Sequence, residues 1–335
     1  RWCMRNFIIL IFILITSSLS ANEWEDKKVF SNGKNTNSLS ILSSTDTSFF
    51  APIIKSFLDK YPDIKIEYFV TGTASLDEIF RKSPEKYDII ISSAMDLQLK
   101  LVNDGYAKKI NQIDHPNWAK WRQSLFAFTI EPAAIVLNKK AFKNIAIPKT
   151  RQDLIKELRS RSTFFRNKIG TYDVRKSGLG YLFATQDART SETFWRLMEV
   201  MGGLGTKLYC CSGDMIDDLV SGKIAVAYNV LGSYAEARKK KSDEIEIILP
   251  ADFPTNMMRT ALVSNSSSRV KTSETFIRHL LNTQTEKNND KTHSLPPLFL
   301  KPGQQTIILE PALMTYLDKL KRKTFIKEWE RAIIQ

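Results

Sequence analysis

Four clusters of Ser, Thr and Gly follow short apolar runs along this chain, and each cluster leads into a helical pattern. They are centred near Ser44, Gly72, Ser92 and Ser177. Hydroxyls and backbone N–H groups at a helix start bind anions, because the helix dipole is positive there. In an open α/β sheet such junctions gather at the carboxyl edge of the strands, so several of them can face one ligand. The pattern therefore predicts a binding site for a small polar, anionic molecule.

The candidate ligand contacts are the polar residues of these junctions, one cation and one strand end. They are Ser44, Thr45, Thr47, Thr71, Gly72, Thr73, Ser92, Ser93, Arg175, Ser177, Gly178, Tyr228 and Asn229. Arg175 offers a guanidinium fork that can hold a phosphate or a carboxylate. Each candidate also has a purely structural alternative. A hydroxyl before a helix can serve only as an N-cap, Arg175 can form a surface or lobe-to-lobe ion pair, and Tyr228 can be a packed core ring.

Strands and helices alternate along the chain, and most of the predicted strands are continuous apolar runs, which is typical of strands covered on both faces. The strands are predicted at 39–43, 64–70, 87–91, 133–138, 168–172, 224–229, 245–249 and 259–264. A helix is predicted to start close to Ser48, and capping boxes are predicted at Ser93/Asp96 and Thr150/Asp153. Two extended crossings, near 125–137 and 245–263, predict two lobes, with lobe 1 formed by 38–130 and 255–335 and lobe 2 by 131–254.

The start of the sequence has the pattern of an export signal. Arg1 and Arg5 precede the apolar run 7–15, and small residues at 18–21 offer a cleavage site near Ser20 or Ala21. The signal is therefore predicted at 1–21, followed by a flexible polar leader at 22–37, and the protein is predicted to be periplasmic. The formal net charge is +13, and its basic residues are dispersed, so a solvated basic surface is predicted rather than a nucleic-acid site.

Cysteine and histidine give little indication of metal or redox chemistry. Cys210 and Cys211 are adjacent, and the alternatives are a vicinal disulfide or free thiols. The three histidines, His115, His279 and His293, are too scattered in sequence to predict a metal cluster. We predict no cofactor and no metal.

Four segments of the chain resemble a known family of transport proteins. They are SSTDT at 43–47, SSAMDLQLKLVNDGYA at 92–107, RKSGLGY at 175–181 and AYNVLGSYA at 227–235. Their order resembles that of the periplasmic solute-binding proteins of ABC importers (family 1, the iron and organophosphate branch), and most of all phosphoglycerate transport regulatory proteins. The resemblance implies an α/β, two-lobed fold of the type II periplasmic-binding-protein kind, with the ligand in the hinge cleft. It also implies an ABC permease as partner, and we expect a monomer.

Three alternatives remain open from the sequence. Ferric-iron capture normally asks for two adjacent tyrosines, and the chain has no such pair. Catalysis by Cys210 or Cys211 would need a base within hydrogen-bond reach, and no His is placed near either in sequence, so we predict no enzyme activity. A ligand-loaded protein could also dock on the sensor kinase of a two-component system, and the sequence does not separate this role from transport.

Overall fold

The computed structural model describes residues 24–33, 37–285 and 295–335. Within these residues no helix is both long and apolar enough to cross a bilayer. The predicted signal at 1–21 lies outside the described residues, as do 34–36 and 286–294.

The strands form two sheets. The first has the order β1-β3-β2-β4-β13-β6-β5, and the second has the order β11-β7-β10-β8-β9, with β12 paired to β7. The strands are β1 (Asp26–Phe30), β2 (Asn37–Ser43), β3 (Ile64–Val70), β4 (Ile89–Ser92), β5 (Lys120–Trp121), β6 (Leu125–Ala127), β7 (Glu131–Asn138), β8 (Ile169–Tyr172), β9 (Lys207–Tyr209), β10 (Val226–Leu231), β11 (Ile245–Ile248), β12 (Asn256–Met257) and β13 (Thr260–Val263).

Helices cover both sheets. They are α1 (Thr47–Lys60), α2 (Thr73–Lys82), α3 (Met95–Asn103), α4 (Arg151–Ser160), α5 (Ser162–Phe165), α6 (Gly178–Thr190), α7 (Thr193–Gly203), α8 (Ser212–Val220), α9 (Gly232–Lys239), α10 (Val270–Thr283) and α11 (Lys319–Ile333). Short 3-10 turns lie at Pro84–Lys86, Asn117–Ala119 and Pro311–Leu317.

The central strands of each sheet are parallel, and antiparallel strands link the sheets. β2 pairs in parallel with β3 and β4, and β8 pairs in parallel with β9 and β10. β13 and β7 run antiparallel to their neighbours β4 and β10. The chain leaves the first sheet after Ala127, builds the second sheet from Glu131, and returns at Thr260. The predicted two-lobed α/β fold is confirmed.

Each lobe has its own apolar core. In the first lobe α1 buries Phe50, Ile53 and Phe57 against the sheet, on the same face of the helix. In the second lobe α7 and α4 bury Leu197 and Leu154 against the other sheet. A further apolar cluster runs between the inner faces of the lobes and includes Leu42 and Val136. Side chains of both lobes therefore share one apolar cluster.

Two predicted regions differ from the structure in their placement. The predicted flexible leader contains β1, which pairs antiparallel with β3, and Trp24 before it packs on Phe69 and donates to the Tyr87 hydroxyl at 3.2 Å. The C-terminal helix α11 was predicted in lobe 1, but it packs on α7 of the second lobe. Phe325 and Trp329 are buried there, and Gly202 allows the two backbones to approach closely.

One of the two predicted capping boxes is present. The Thr150 hydroxyl accepts from the Asp153 N–H, and the Asp153 carboxylate accepts from the Thr150 N–H. At α3 the capping residue is Ala94 instead of Ser93, and no side chain caps the helix. The Asp96 carboxylate there accepts from the Leu97 N–H at 2.9 Å and is buried.

Candidate functional site

A cavity of about 680 Å³ lies between the two lobes. Five helices begin at its wall, α1 and α2 from the first lobe and α6, α8 and α9 from the second. Each start leaves backbone N–H groups without helical partners and carries the positive end of the helix dipole. Five helix N-termini, from both lobes, therefore lie at the wall of this cavity.

Seven of the predicted ligand contacts line this cavity. They are Ser44, Thr47, Thr71, Gly72, Thr73, Ser93 and Ser177. Sequence reasoning could place these residues because a helix start after a strand is a local feature. The structure adds that the starts from both lobes meet in one space.

Three predicted residues lie beside the cavity without lining it. Thr45 is buried, and its hydroxyl accepts from the Arg259 guanidinium at 2.6 Å. Ser92 is buried too, and its hydroxyl accepts from the Ala94 N–H at 3.1 Å. Gly178 lies at the contact of the lobes, where an added Cβ would come within 3.3 Å of Ala94 and Thr73. The structure gives these residues packing and orienting roles.

Arg175 differs most from its prediction. Its guanidinium contacts Asp173 at 2.8 Å and Glu330 of α11 at 3.1 Å, and it does not line the cavity. Asp173 is the first residue after β8 and lies two positions before Arg175, so the two side chains are close in sequence. The structure therefore shows the ion pair that was the alternative for this residue.

Tyr228 and Asn229 lie inside the second lobe, away from the cavity. The Tyr228 hydroxyl donates to Asp187 at 2.7 Å and accepts from Arg151 at 2.7 Å. The Asn229 amide donates to the same carboxylate at 3.0 Å, and its φ is +63°. Thr255 also donates to Asp187 at 2.7 Å. This buried network joins β10, α4 and α6, so these residues support the lobe and do not reach the cleft.

A buried charge pair lies at the base of the cleft. Arg259 and Glu131 are both fully buried and form two parallel contacts, from Nε to Oε1 at 2.9 Å and from Nη2 to Oε2 at 3.0 Å. Glu131 also accepts from Thr129 at 2.7 Å and from Ser233. Arg259 therefore connects Thr45 of the first lobe to Glu131 at the start of the second sheet. No local sequence pattern predicts this pair, because its members lie 128 residues apart.

The segment at the start of β1 brings two carboxylates onto the cavity wall. The Glu25 carboxylate accepts from the Gly72 N–H at the start of α2. The Asp26 carboxylate accepts from the Thr47 hydroxyl at the start of α1. Lys27 and Lys28 line the cavity beside them. Two of the donors predicted for an external anion thus already hold carboxylates of this chain.

Carboxylates outnumber cations around the cavity. Four carboxylates, Glu25, Asp26, Asp46 and Asp214, face Lys27, Lys28 and Arg259. Burial, together with Asp46 and Asp214, raises the pKa of Glu25. Burial, with Asp214 and Asp26, also raises the pKa of Asp46. Burial is the largest cause of both shifts, and the neighbouring carboxylates add to it.

The lobes touch each other at the rim of the cavity. The Asp46 N–H donates to the Tyr234 hydroxyl at 3.2 Å, and the rings of Phe49 and Tyr234 stack with centroids 4.2 Å apart. On the other side the Leu179 N–H donates to the Thr73 hydroxyl at 3.1 Å. Tyr234 was not among the predicted ligand contacts, although it lies in one of the segments that carry the family resemblance.

A fold of two lobes around a polar cleft is that of proteins that capture solutes. The family model described as "Bacterial extracellular solute-binding protein" matches residues 53–304, and this chain belongs to that family. Proteins of the family serve ABC transporters, and they are binding proteins rather than enzymes. No curated protein sequence matches the chain significantly.

Solved structures show the same fold. The substrate-binding protein of an ABC transporter from Agrobacterium tumefaciens is 28% identical, with a TM-score of 0.85 over 92% of this chain and 98% of that one. AfuA from Actinobacillus pleuropneumoniae, with fructose-6-phosphate bound, is 15% identical, with a TM-score of 0.71 over 89% and 99%. Iron-bound HitA from Pseudomonas aeruginosa is 13% identical, with a TM-score of 0.64 over 88% and 99%. At such low identity the last two show the fold alone.

Proposed function

We propose that this protein captures a small metabolite carrying a phosphate or carboxylate group in the cleft and delivers it to an ABC permease. One observation carries the proposal: the starts of α1, α2, α6 and α8, from both lobes, line one cavity. Helix N-termini that converge in this way favour a negative group between them. The phosphate ester bound in AfuA is consistent with such a ligand in a protein of the same fold.

The carboxylates of the cavity limit which anions fit. A ligand anion must replace the Glu25 carboxylate at the Gly72 N–H or use the donors that remain, among them the hydroxyls of Ser93 and Ser177. Lys27 and Lys28 offset part of the negative charge. We therefore propose a ligand with one compact anionic group and several hydroxyls. 3-Phosphoglycerate is the first probe, given the similarity to phosphoglycerate transport regulatory proteins.

Ferric iron is the second candidate, because Tyr172 and Tyr234 both line the cavity beside its carboxylates. The pKa values of both phenols are raised, first by burial. The Tyr172 hydroxyl bonds to Ser212, and the Tyr234 hydroxyl accepts from the Asp46 N–H. Ferric iron needs phenolates, so these environments favour the anionic metabolite.

A signalling role stays open alongside transport. A loaded binding protein can present the same closed surface to a permease or to the kinase of a two-component system. Pull-down of the loaded protein against each membrane partner separates the two roles. Retention on the kinase with none on the permease would contradict delivery to a transporter.

The ligand class is tested by thermal unfolding with a panel of solutes. We expect 3-phosphoglycerate and fructose 6-phosphate to raise the melting temperature, because a ligand at 100 times its Kd adds about 2.7 kcal/mol to the free energy of unfolding. Fructose and glycerol serve as uncharged controls. Stabilisation by neutral sugars or amino acids alone would contradict the proposal. Native mass spectrometry of protein purified without refolding would identify any ligand that co-purifies.

Arg175→Met is the control variant for this measurement. Because Arg175 pairs with Asp173 and Glu330 outside the cavity, we expect anion affinity to stay within about twofold of the wild type. Loss of a direct charge-assisted contact would instead cost roughly 1.5–3 kcal/mol. A tenfold weaker affinity in calorimetry would show that Arg175 contacts the ligand.

Glu25→Gln is expected to tighten anion binding. The change removes a negative charge from the cavity wall and weakens the acceptor that now occupies the Gly72 N–H. Weakening the hydrogen bond that competes with the ligand should make the binding free energy more favourable by about 1 kcal/mol. This corresponds to a roughly fivefold lower Kd for 3-phosphoglycerate. The matched control is Glu67→Gln on β3, whose carboxylate pairs with Lys65 away from the cavity. Equal effects of the two variants in calorimetry would show that Glu25 does not compete with the ligand.

A further inference from the structure

Two thiols and a carboxylate lie together at the edge of the ligand cavity. Cys210 and Cys211 immediately precede α8, and Asp214 lies in its first turn. All three residues line the cavity between the lobes. Cys210 and Asp214 are exposed and Cys211 is half-buried, so solutes reach the group from the cleft.

The spacing of the three side chains fits one metal ion. The two sulfur atoms are 3.1 Å apart, and the Asp214 Oδ2 lies 3.1 Å from the Cys211 Sγ and 3.8 Å from the Cys210 Sγ. Two sulfur atoms bound to one ion at about 2.3 Å each can be separated by no more than about 4.6 Å. All three pairs fall inside that limit. The thiols are free, so both sulfur atoms are available as ligands.

We propose that Cys210, Cys211 and Asp214 bind one thiophilic divalent cation, of the zinc or cadmium kind, at the edge of the solute cleft. Thiolate ligands select soft and borderline metals, which distinguishes this group from a ferric site of tyrosines and carboxylates. Each thiol releases its proton to solvent as its sulfur coordinates the ion, so one cation displaces two protons.

Three protein ligands leave the fourth position of a tetrahedral ion unfilled, as in catalytic zinc sites. Here that position opens toward a cavity that Glu25 and Asp46 also line from the first lobe. The negative charge of Asp214, in the second lobe, helps to raise the pKa of both carboxyl groups of the first lobe. Because the ion displaces two protons, it adds no net charge to the cavity, and it would act on an anion through its unfilled fourth position. This effect on anion capture rests on the proposed function, whereas cation binding itself does not.

The test is a titration of the reduced protein with Cd²⁺, followed by the ultraviolet thiolate-to-metal charge-transfer band. We expect saturation at one equivalent, with release of two protons per ion in calorimetry across buffers of different ionisation enthalpy. Any disulfide between the two cysteines is reduced with a phosphine before the titration. The result therefore does not depend on how the protein was purified.

Three variants assign the ligands. Cys211→Ser should abolish the stoichiometric band, and Asp214→Asn should weaken Cd²⁺ binding by about tenfold. Asp217→Asn is the matched control, because this exposed carboxylate lies on the same helix and pairs with Arg238. A band that does not saturate, or one that survives in Cys211→Ser, would overturn the proposal. The titration contains no anionic metabolite, so its failure and a failure of anion capture are separate results.

Discussion

Arg259→Met should lower the free energy of unfolding by about 3–5 kcal/mol, because it leaves the Glu131 carboxylate buried without its cation. Both side chains of this pair are fully buried, and Glu131 lies where the chain enters the second lobe. In the wild type the pKa of Glu131 is held below its usual range against burial, chiefly by Arg259. In the variant that attraction is gone, so the carboxylate is stable only if it takes up a proton.

The measurement is urea unfolding followed by tryptophan fluorescence at pH 7 and at pH 5. The deficit of Arg259→Met should shrink at the lower pH, where Glu131 becomes protonated. The double variant Arg259→Met/Glu131→Leu should recover much of the lost free energy, since paired apolar replacements of buried ions are often neutral. Lys65→Met, in the half-exposed pair with Glu67, should change it by less than about 1 kcal/mol. A cost below that level for Arg259→Met would show that the pair contributes little to the fold.

Asp96→Asn should stabilise the protein above neutral pH and remove much of its pH dependence. Burial raises the pKa of Asp96 to about 7, whereas the value in the unfolded chain lies near 3.8. The folded protein therefore holds a proton on Asp96 that the unfolded chain releases. The free energy of unfolding is highest below the unfolded value and falls as the pH rises toward 7.

The size of the stabilisation follows from the difference between the folded and unfolded pKa values of Asp96. At about 1.36 kcal/mol per pH unit, this difference corresponds to about 4 kcal/mol at most. Asparagine keeps an oxygen for the Leu97 N–H, so the local hydrogen bond survives the substitution. Urea unfolding at pH 4, 6 and 8 should show the variant gaining on the wild type as the pH rises. The control is Asp104→Asn, since ion pairs with Lys100 and Arg81 lower the pKa of Asp104. Parallel profiles for Asp96→Asn and the wild type would contradict a protonated Asp96.

The secondary structure was largely predictable because its signals are local. The apolar run at 64–70 predicted β3 with the bounds that the structure shows. Thr150 and Asp153 form their predicted capping box, since both partners lie within one helical turn. The same reasoning failed at Ser93 and Asp96, where the capping position falls one residue later, at Ala94, and the Asp96 carboxylate accepts from the Leu97 N–H instead.

Part of the cavity lining was predictable from the sequence, because strand-to-helix junctions are also local features. Residues at strand-to-helix junctions, such as Ser44, Gly72 and Ser177, line the cavity because the chain itself carries them to the sheet edge. Arg175 and Tyr228 lie at similar positions in sequence, yet their partners Asp173, Glu330 and Asp187 hold them elsewhere. A junction in sequence does not show which way a long side chain turns, because the strongest local charge or hydrogen bond decides that direction.

The sequence by itself determined the alternation of strands and helices and the polar helix starts, since each depends on residues near one another along the chain. The two-lobed plan was predicted from two distant extended crossings and from the family resemblance. The tertiary structure alone decided which charged side chains line the cavity. The carboxylates of the segment before β1 reach the cleft because that strand pairs with β3. Arg259 meets Glu131 because the two chain crossings between the lobes lie side by side. Cys211 lines the same cavity as the carboxylates of the first lobe because the two lobes meet around it. Such contacts join residues far apart in sequence, and no local pattern records them.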